Sequence, residues 1–221
     1  MNATPPNVVP ILATPFGVVP LPDAEAENPA LVELFGARMR RNGAARQSDP
    51  LCYRSRDDLL EWPDEPVRRL TAAIFRGVHL VVNAVNDFTE AQSNSLTLQA
   101  RGWFTIIAPD GRVPAASHPL TAWCGIYCVA APETSATRSD SGVLRLYESR
   151  LGTMFADATN ATMRVPFTPG HYAWRPVPGQ MAVFPASLTH EIALVRSPGQ
   201  LVLVTVRVRF VGKGQEGLSR W

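Results

Sequence analysis

Apolar positions recur at helical spacing only in the first half of the chain. Leu31, Leu34, Phe35 and Met39 form one stripe, with Asn28 placed as N-cap, Pro29 at the first helical position and Asn42-Gly43 as the stop. Val67, Leu70, Ile74, Val78 and Val81 form a second stripe, which predicts a helix from near Pro66 to about Asn86 with one buried face. Ahead of both, the Pro-rich residues 7 to 22 read as an edge strand or irregular arm laid along a sheet. Residues 44 to 61 read as loop. From Leu96 onward the pattern changes to short β-type runs: GWFTIIA, WCGIYCVAA, GVLRLYES, QMAVFP, HEIALV and LVLVTVRVRFV. Asp110-Gly111, Ser141-Gly142, Pro169-Gly170, Pro178-Gly179 and Pro198-Gly199 punctuate them.

About six strands after a helical first half predict an antiparallel barrel or jelly roll, mainly β, with two helices packed against one sheet. The composition agrees. Among 221 residues, 46% are hydrophobic and 18% charged, which suits one globular core and excludes a disordered or fibrous chain. Twenty prolines and fifteen glycines favour many short segments over a helical bundle. A formal charge of +2 with scattered basic residues argues against a nucleic-acid surface, and the longest apolar runs are too short to span a membrane. Three cysteines without a signal-type start make a reducing cytoplasm the expected compartment.

No P-loop, G-x-G-x-x-G, G-x-S-x-G, H-E-x-x-H or C-x-x-C motif is present, which lowers nucleotide-binding and serine-hydrolase readings. Cys124 and Cys128, four apart in one strand, share a face and read as small buried hydrophobes. Two of the four histidines sit where barrel chemistry would want them: His118 entering one strand and His190 opening another.

At these residues the chain resembles the 2-oxoglutarate/Fe(II) oxygenase family of double-stranded β-helix proteins. That family's pattern runs W-x-N, H-x-H-P, W-S-G-V-Y-Y-V, S-G-x-L and P-G-x-L-x-L-F-P-S-x-L-x-H. Here it meets Trp103, Thr105, Ala116, His118, Pro119, Trp123, Cys124, Tyr127, Gly142, Leu144, Pro178, Gly179, Phe184, Leu188 and His190. The resemblance implies a single cupin-like domain over 1–221, with 1–95 as arm and supporting helices and 96–212 as barrel core.

It also implies Fe(II) and 2-oxoglutarate as cofactors, with His190 as the distal metal ligand and His118 as one member of the proximal pair. Ala116 stands at the other proximal position and has no donor atom. Leu201 and Leu203 stand where the family has the arginine that grips the far carboxylate of 2-oxoglutarate. Period-two alternation puts Leu201, Leu203, Thr205, Arg207 and Arg209 on one strand face. If that face lines the barrel, Arg207 replaces the lost arginine deeper in the cavity, with Thr205 and Tyr127 beside the co-substrate; otherwise Arg207 and Arg209 are solvated charges at the outer end of an edge strand. Glu148 is the first candidate for a third metal ligand, with Asp140, His171 or water as alternatives. Glu148 could equally form an ion pair with Arg145 or Arg150, and His171 could be a lid residue above the barrel mouth.

Three functions remain open. The first is a non-haem Fe(II), 2-oxoglutarate-type oxygenase, an enzyme of small-molecule biosynthesis. The second is a metal-independent relative that uses His118 or His190 as acid or base in a cyclisation, elimination or isomerisation. The third is a non-catalytic module holding an acidic small ligand. The expected partner is a small-molecule substrate, with a homodimer as an open alternative and with neither nucleic acid nor membrane.

Overall fold

The computed structural model describes residues 13–42, 49–133, 140–147 and 170–212. Its strands are β1 (Gly17–Pro20), β2 (Cys52–Arg54), β3 (Leu96–Ile107), β4 (Val113–Ala116), β5 (Trp123–Ala130), β6 (Leu144–Tyr147), β7 (His171–Trp174), β8 (Gln180–Pro185), β9 (His190–Ile192) and β10 (Leu201–Gly212). Two antiparallel sheets result, a large one in the order β1-β8-β5-β10-β3-β2 and a small one in the order β4-β9-β6-β7. This is the double-stranded β-helix architecture. The helices are α1 (Ala24–Asn42), α2 (Glu65–Ala84) and the short α3 (Glu90–Asn94).

Period-two alternation assigns each face of the large sheet its own core. Tyr127 and Val129 of β5 and Val202, Val204, Val206 and Val208 of β10 point toward the helices. There they pack with Phe35 of α1 and with Val67, Leu70, Ile74, Val78 and Val81 of α2. All five predicted α2 positions are buried. The opposite face carries Cys124, Ile126 and Cys128 of β5 and Leu201 and Leu203 of β10. These pack against Leu144, Leu146, Trp174 and Ile192 of the small sheet to form the barrel interior.

Several expectations change. Helix α1 begins at Ala24, so Asn28 is not its N-cap: the Ala26 and Glu27 amides bond the Asp23 carbonyl, and Asn28 is a buried acceptor for the Tyr127 hydroxyl at 2.7 Å. Pro29 is tolerated inside the helix because only one early hydrogen bond is lost. The predicted loop between the two helices contains β2 and a 3-10 turn, Leu59–Glu61. The runs VPAA and HYAW, too short to show a period, form β4 and β7 because neighbouring strands supply their hydrogen bonds. Within the expected arm, Gly17–Pro20 do form an edge strand, β1, paired with β8. Since β1 and β2 complete the large sheet, the barrel extends into the segment expected only to support it.

Among the described residues no helix is long and apolar enough to cross a membrane.

Candidate metal centre

The inner face of the large sheet is graded from dry to charged. At one end Leu201 lies opposite Ile107, and Leu203 lies opposite Thr105 and Cys128. Six residues along β10, roughly 20 Å away, Arg207 lies opposite Cys124. Thr205 stands between them, buried on the same face and opposite Trp103 and Ile126.

The polar end gathers two histidines from the small-sheet side. His190 opens β9 directly opposite Ala116, the last residue of β4. His118 follows that strand, and its amide donates to the Ala186 carbonyl at 2.7 Å while its own carbonyl accepts from Thr121. The two imidazoles meet with centroids 5.4 Å apart, and the Phe184 ring lies 5.0 Å from His190. Cys124 joins them: one donor atom from each of His118, Cys124 and His190 lies within 4.8 Å of the other two.

Nδ1 of His190 lies 2.9 Å from the Leu188 carbonyl. A carbonyl can only accept, so this nitrogen carries the proton and Nε2 keeps its lone pair. Burial lowers the pKa of both histidines, His118 to about 4, where the nearby His190, Arg207 and Arg54 reinforce the effect and Asp57 opposes it. Both rings are therefore neutral at neutral pH and able to donate to a metal. Burial acts oppositely on the Cys124 thiol, pushing it up to about 12, with Arg207 drawing it partly back.

A charged cluster borders these donors. The Arg207 guanidinium donates to Asp57 Oδ2 at 2.8 Å, and Arg54 binds Asp57 Oδ1. Both arginines lie over the Trp103 ring, at 4.2 Å for Arg54 and 5.4 Å for Arg207, while His118 meets the same ring at 5.6 Å. Two cations around one carboxylate leave a net positive charge beside the histidines.

The family model described as "Putative 2OG-Fe(II) oxygenase" matches residues 101–203. That stretch is similar to the family. No curated protein matches the chain by sequence. Solved structures with a similar fold include a Pseudomonas putida prolyl-4-hydroxylase, 13% identical with a TM-score of 0.56 over 89% of this chain and 93% of that one. A second is the non-heme alpha ketoglutarate dependent carbocyclase SnoK from nogalamycin biosynthesis, 12% identical with a TM-score of 0.61 over 95% and 87%. A third is EvdO2 from Micromonospora carbonacea var. aurantiaca complexed with 2-oxoglutarate, 15% identical with a TM-score of 0.52 over 91% and 89%. At such identities these likenesses establish the fold alone.

Within the oxygenase frame, the structure brings His118, His190 and Arg207 together and places Thr205 on the same inner face. It does not bring Tyr127 there: its hydroxyl bonds Asn28 on the helix side of the sheet. Arg207 does not lie deeper in the barrel than the family arginine's position. It stands at the charged end, and β10 is a central strand between β5 and β3, not an edge. Arg209 bonds Gln99.

His171 is exposed and pairs with Tyr147, whose hydroxyl reaches Glu191 at 2.7 Å. That is the outer face of the small sheet, where Arg145 also binds Glu191 at 3.1 Å, so His171 is remote from the histidine pair. Asp140 lies 3.9 Å from Arg196. Glu148 and Arg150 lie outside the described residues. Sequence reasoning missed Arg54 and Asp57, which sat in a presumed loop, and it set Cys124 aside. The available signal was that Cys124 is the second residue of the strand after His118, on the face that carries Ile126 and Cys128.

The two neutral imidazoles fit a divalent first-row ion, and the positive cluster beside them fits an anionic co-substrate.

Proposed function

We propose that the chain is a metal-dependent enzyme of the 2-oxoglutarate/Fe(II) oxygenase type acting on a small molecule. The observation that carries this reading is the convergence of His118 and His190, 5.4 Å apart, beside the Arg207 guanidinium at the charged end of the barrel. His118 and His190 would hold the ion, Arg207 would bind the far carboxylate of the keto acid, and Thr205 would offer a hydroxyl on the same face.

When bound, the ion and keto acid supply the oxidising chemistry. The chain's own part is positional. The Leu188 carbonyl fixes the His190 tautomer, leaving Nε2 to face the ion. Burial keeps both imidazoles unprotonated. Trp103 packs edge-on against His118 and Phe184 against His190, which fixes the two rings with aromatic contacts.

A second reading, in which His118 or His190 works without metal as an acid or base, is favoured by Ala116 at one family ligand position and by the burial of Leu201 and Leu203 in aliphatic packing. On the carbocyclase SnoK the same fold is described as alpha ketoglutarate dependent, so ring formation alone does not separate the two readings. The decisive measurement is metal content of protein purified without chelators, together with 2-oxoglutarate consumption. Stoichiometric iron with keto-acid turnover, both lost in His118→Ala and His190→Ala, supports the oxygenase. Activity retained without metal supports the second reading, and neither metal nor turnover would leave the binding module.

A further inference from the structure

We propose that Cys124 is the third protein ligand of this centre, giving a His118, Cys124 and His190 donor set that favours thiophilic divalent ions such as Zn(II) and Co(II) over Fe(II). This rests on the part of the proposed function in which His118 and His190 hold a metal ion, and it replaces Fe(II) as that ion.

Donors on one ion, at bond lengths of roughly 2.0 to 2.3 Å and tetrahedral angles, lie about 3.3 to 3.7 Å from one another. The three atoms already lie within 4.8 Å, so side-chain adjustments of about an ångström close the set. Cys124 is held in place by the sheet, with Phe184 on one side and Arg207 on the other as ladder partners. His190 has the orientation expected of a metal ligand, one ring nitrogen donating to a backbone carbonyl and the other left for the ion.

The alternatives among the described residues are engaged elsewhere. Both carboxylate oxygens of Asp57 are held by arginines, His171 is on the outer face, Asp140 meets Arg196, and Ala116 has no donor. No other group of three potential metal donors occurs among them. Cys128 supplies a contrast within the same strand: equally buried, it lies opposite Leu203 at the dry end.

The chemistry follows from the donor. A thiolate is softer than the carboxylate of a two-histidine, one-carboxylate site, and soft donors raise affinity for zinc-type ions more than for Fe(II). On binding, the Cys124 S–H bond gives way to an S–metal bond and the proton leaves to solvent. Neither sulfur nor metal changes oxidation state. The remaining coordination positions are left for water or an exogenous ligand.

The test uses the full-length protein and Co(II) alone. The wild type should bind one Co(II) with a near-ultraviolet sulfur-to-cobalt charge-transfer band. Zn(II) should displace the ion, and Fe(II) should not do so at the same concentration. Cys124→Ser should abolish the band and weaken binding at least roughly ten-fold, while Cys128→Ser should keep both. X-ray absorption of the cobalt-loaded wild type should count one sulfur scatterer, a readout that does not depend on any variant folding. Binding without band or sulfur scatterer, or loss of the band only in Cys128→Ser, would overturn the assignment of Cys124 and leave the histidine pair standing. A centre that prefers Fe(II) would overturn the preference, and no binding at all would overturn the metal reading as well.

Discussion

Ala116 stands directly opposite His190 in the β4–β9 ladder, so their side chains leave the same face of the small sheet. Position 116 is exposed, so a longer side chain there is not excluded by burial. Ala116→His therefore brings a new imidazole toward His190. In a Cys124→Ser background, where a donor has been removed, this substitution should recover Ni(II) affinity by about ten-fold or more, read by titration calorimetry. An unchanged affinity would mean that β4 does not present position 116 to the ion.

Asp57 occupies both arginines of the charged cluster. Replacing it by asparagine leaves the guanidiniums in place and removes the competing carboxylate. Asp57→Asn should bind 2-oxoglutarate several-fold more tightly than the wild type, and Arg207→Ala should lose that binding. Because the ion pair is partly solvated, the stability cost of Asp57→Asn should stay near 1 kcal/mol. Equal keto-acid affinity in all three proteins would remove Arg207 as the anchor.

The depressed pKa of His118 has a definite sign in stability. The folded state holds it at about 4 against an ordinary value of 6.5, mainly through burial and then through the neighbouring His190 and arginines. Between those values the unfolded chain binds more protons, so stability falls as pH drops from about 6.5 toward 4 and is insensitive to this group above 6.5. His190, shifted the same way, adds to the slope. Urea unfolding across pH 7.5 to 4.5 should show this decline, and His118→Gln should make it shallower.

Leu201 is 2% exposed and packs with Ile107, Leu144 and Val195. Installing the family's arginine there would bury an unpaired cation in an aliphatic interior. Leu201→Arg should cost about 3 to 5 kcal/mol, seen as a large fall in Tm, and should not create keto-acid binding. A stable variant that binds 2-oxoglutarate would show the dry end to be adaptable.

Tyr127→Phe removes the hydroxyl that bonds Asn28 and nothing else near the donors. Its expected effect is a loss of about 1 kcal/mol in stability, with Co(II) affinity unchanged. Weaker metal binding in this variant would place Tyr127 nearer the site than its strand face allows.

The sequence by itself determined the elements whose signal repeats along the chain. The period of α2 named its buried face, and the alternation in β10 put Leu201, Leu203, Thr205 and Arg207 on one side of a strand, because both patterns are local consequences of backbone geometry. The two histidines and their likeness to a known pattern pointed to one end of a barrel. Which side of each strand faces inward was settled by tertiary packing, and with it the fate of Tyr127 and Cys124, three residues apart in the sequence and on opposite faces of β5. It also brought Asp57 to Arg207 across 150 residues and formed β4 and β7 from runs too short to carry a period. Such contacts depend on register and closure between distant strands. The free energy that selects them comes from partners far along the chain, so no local window contains it.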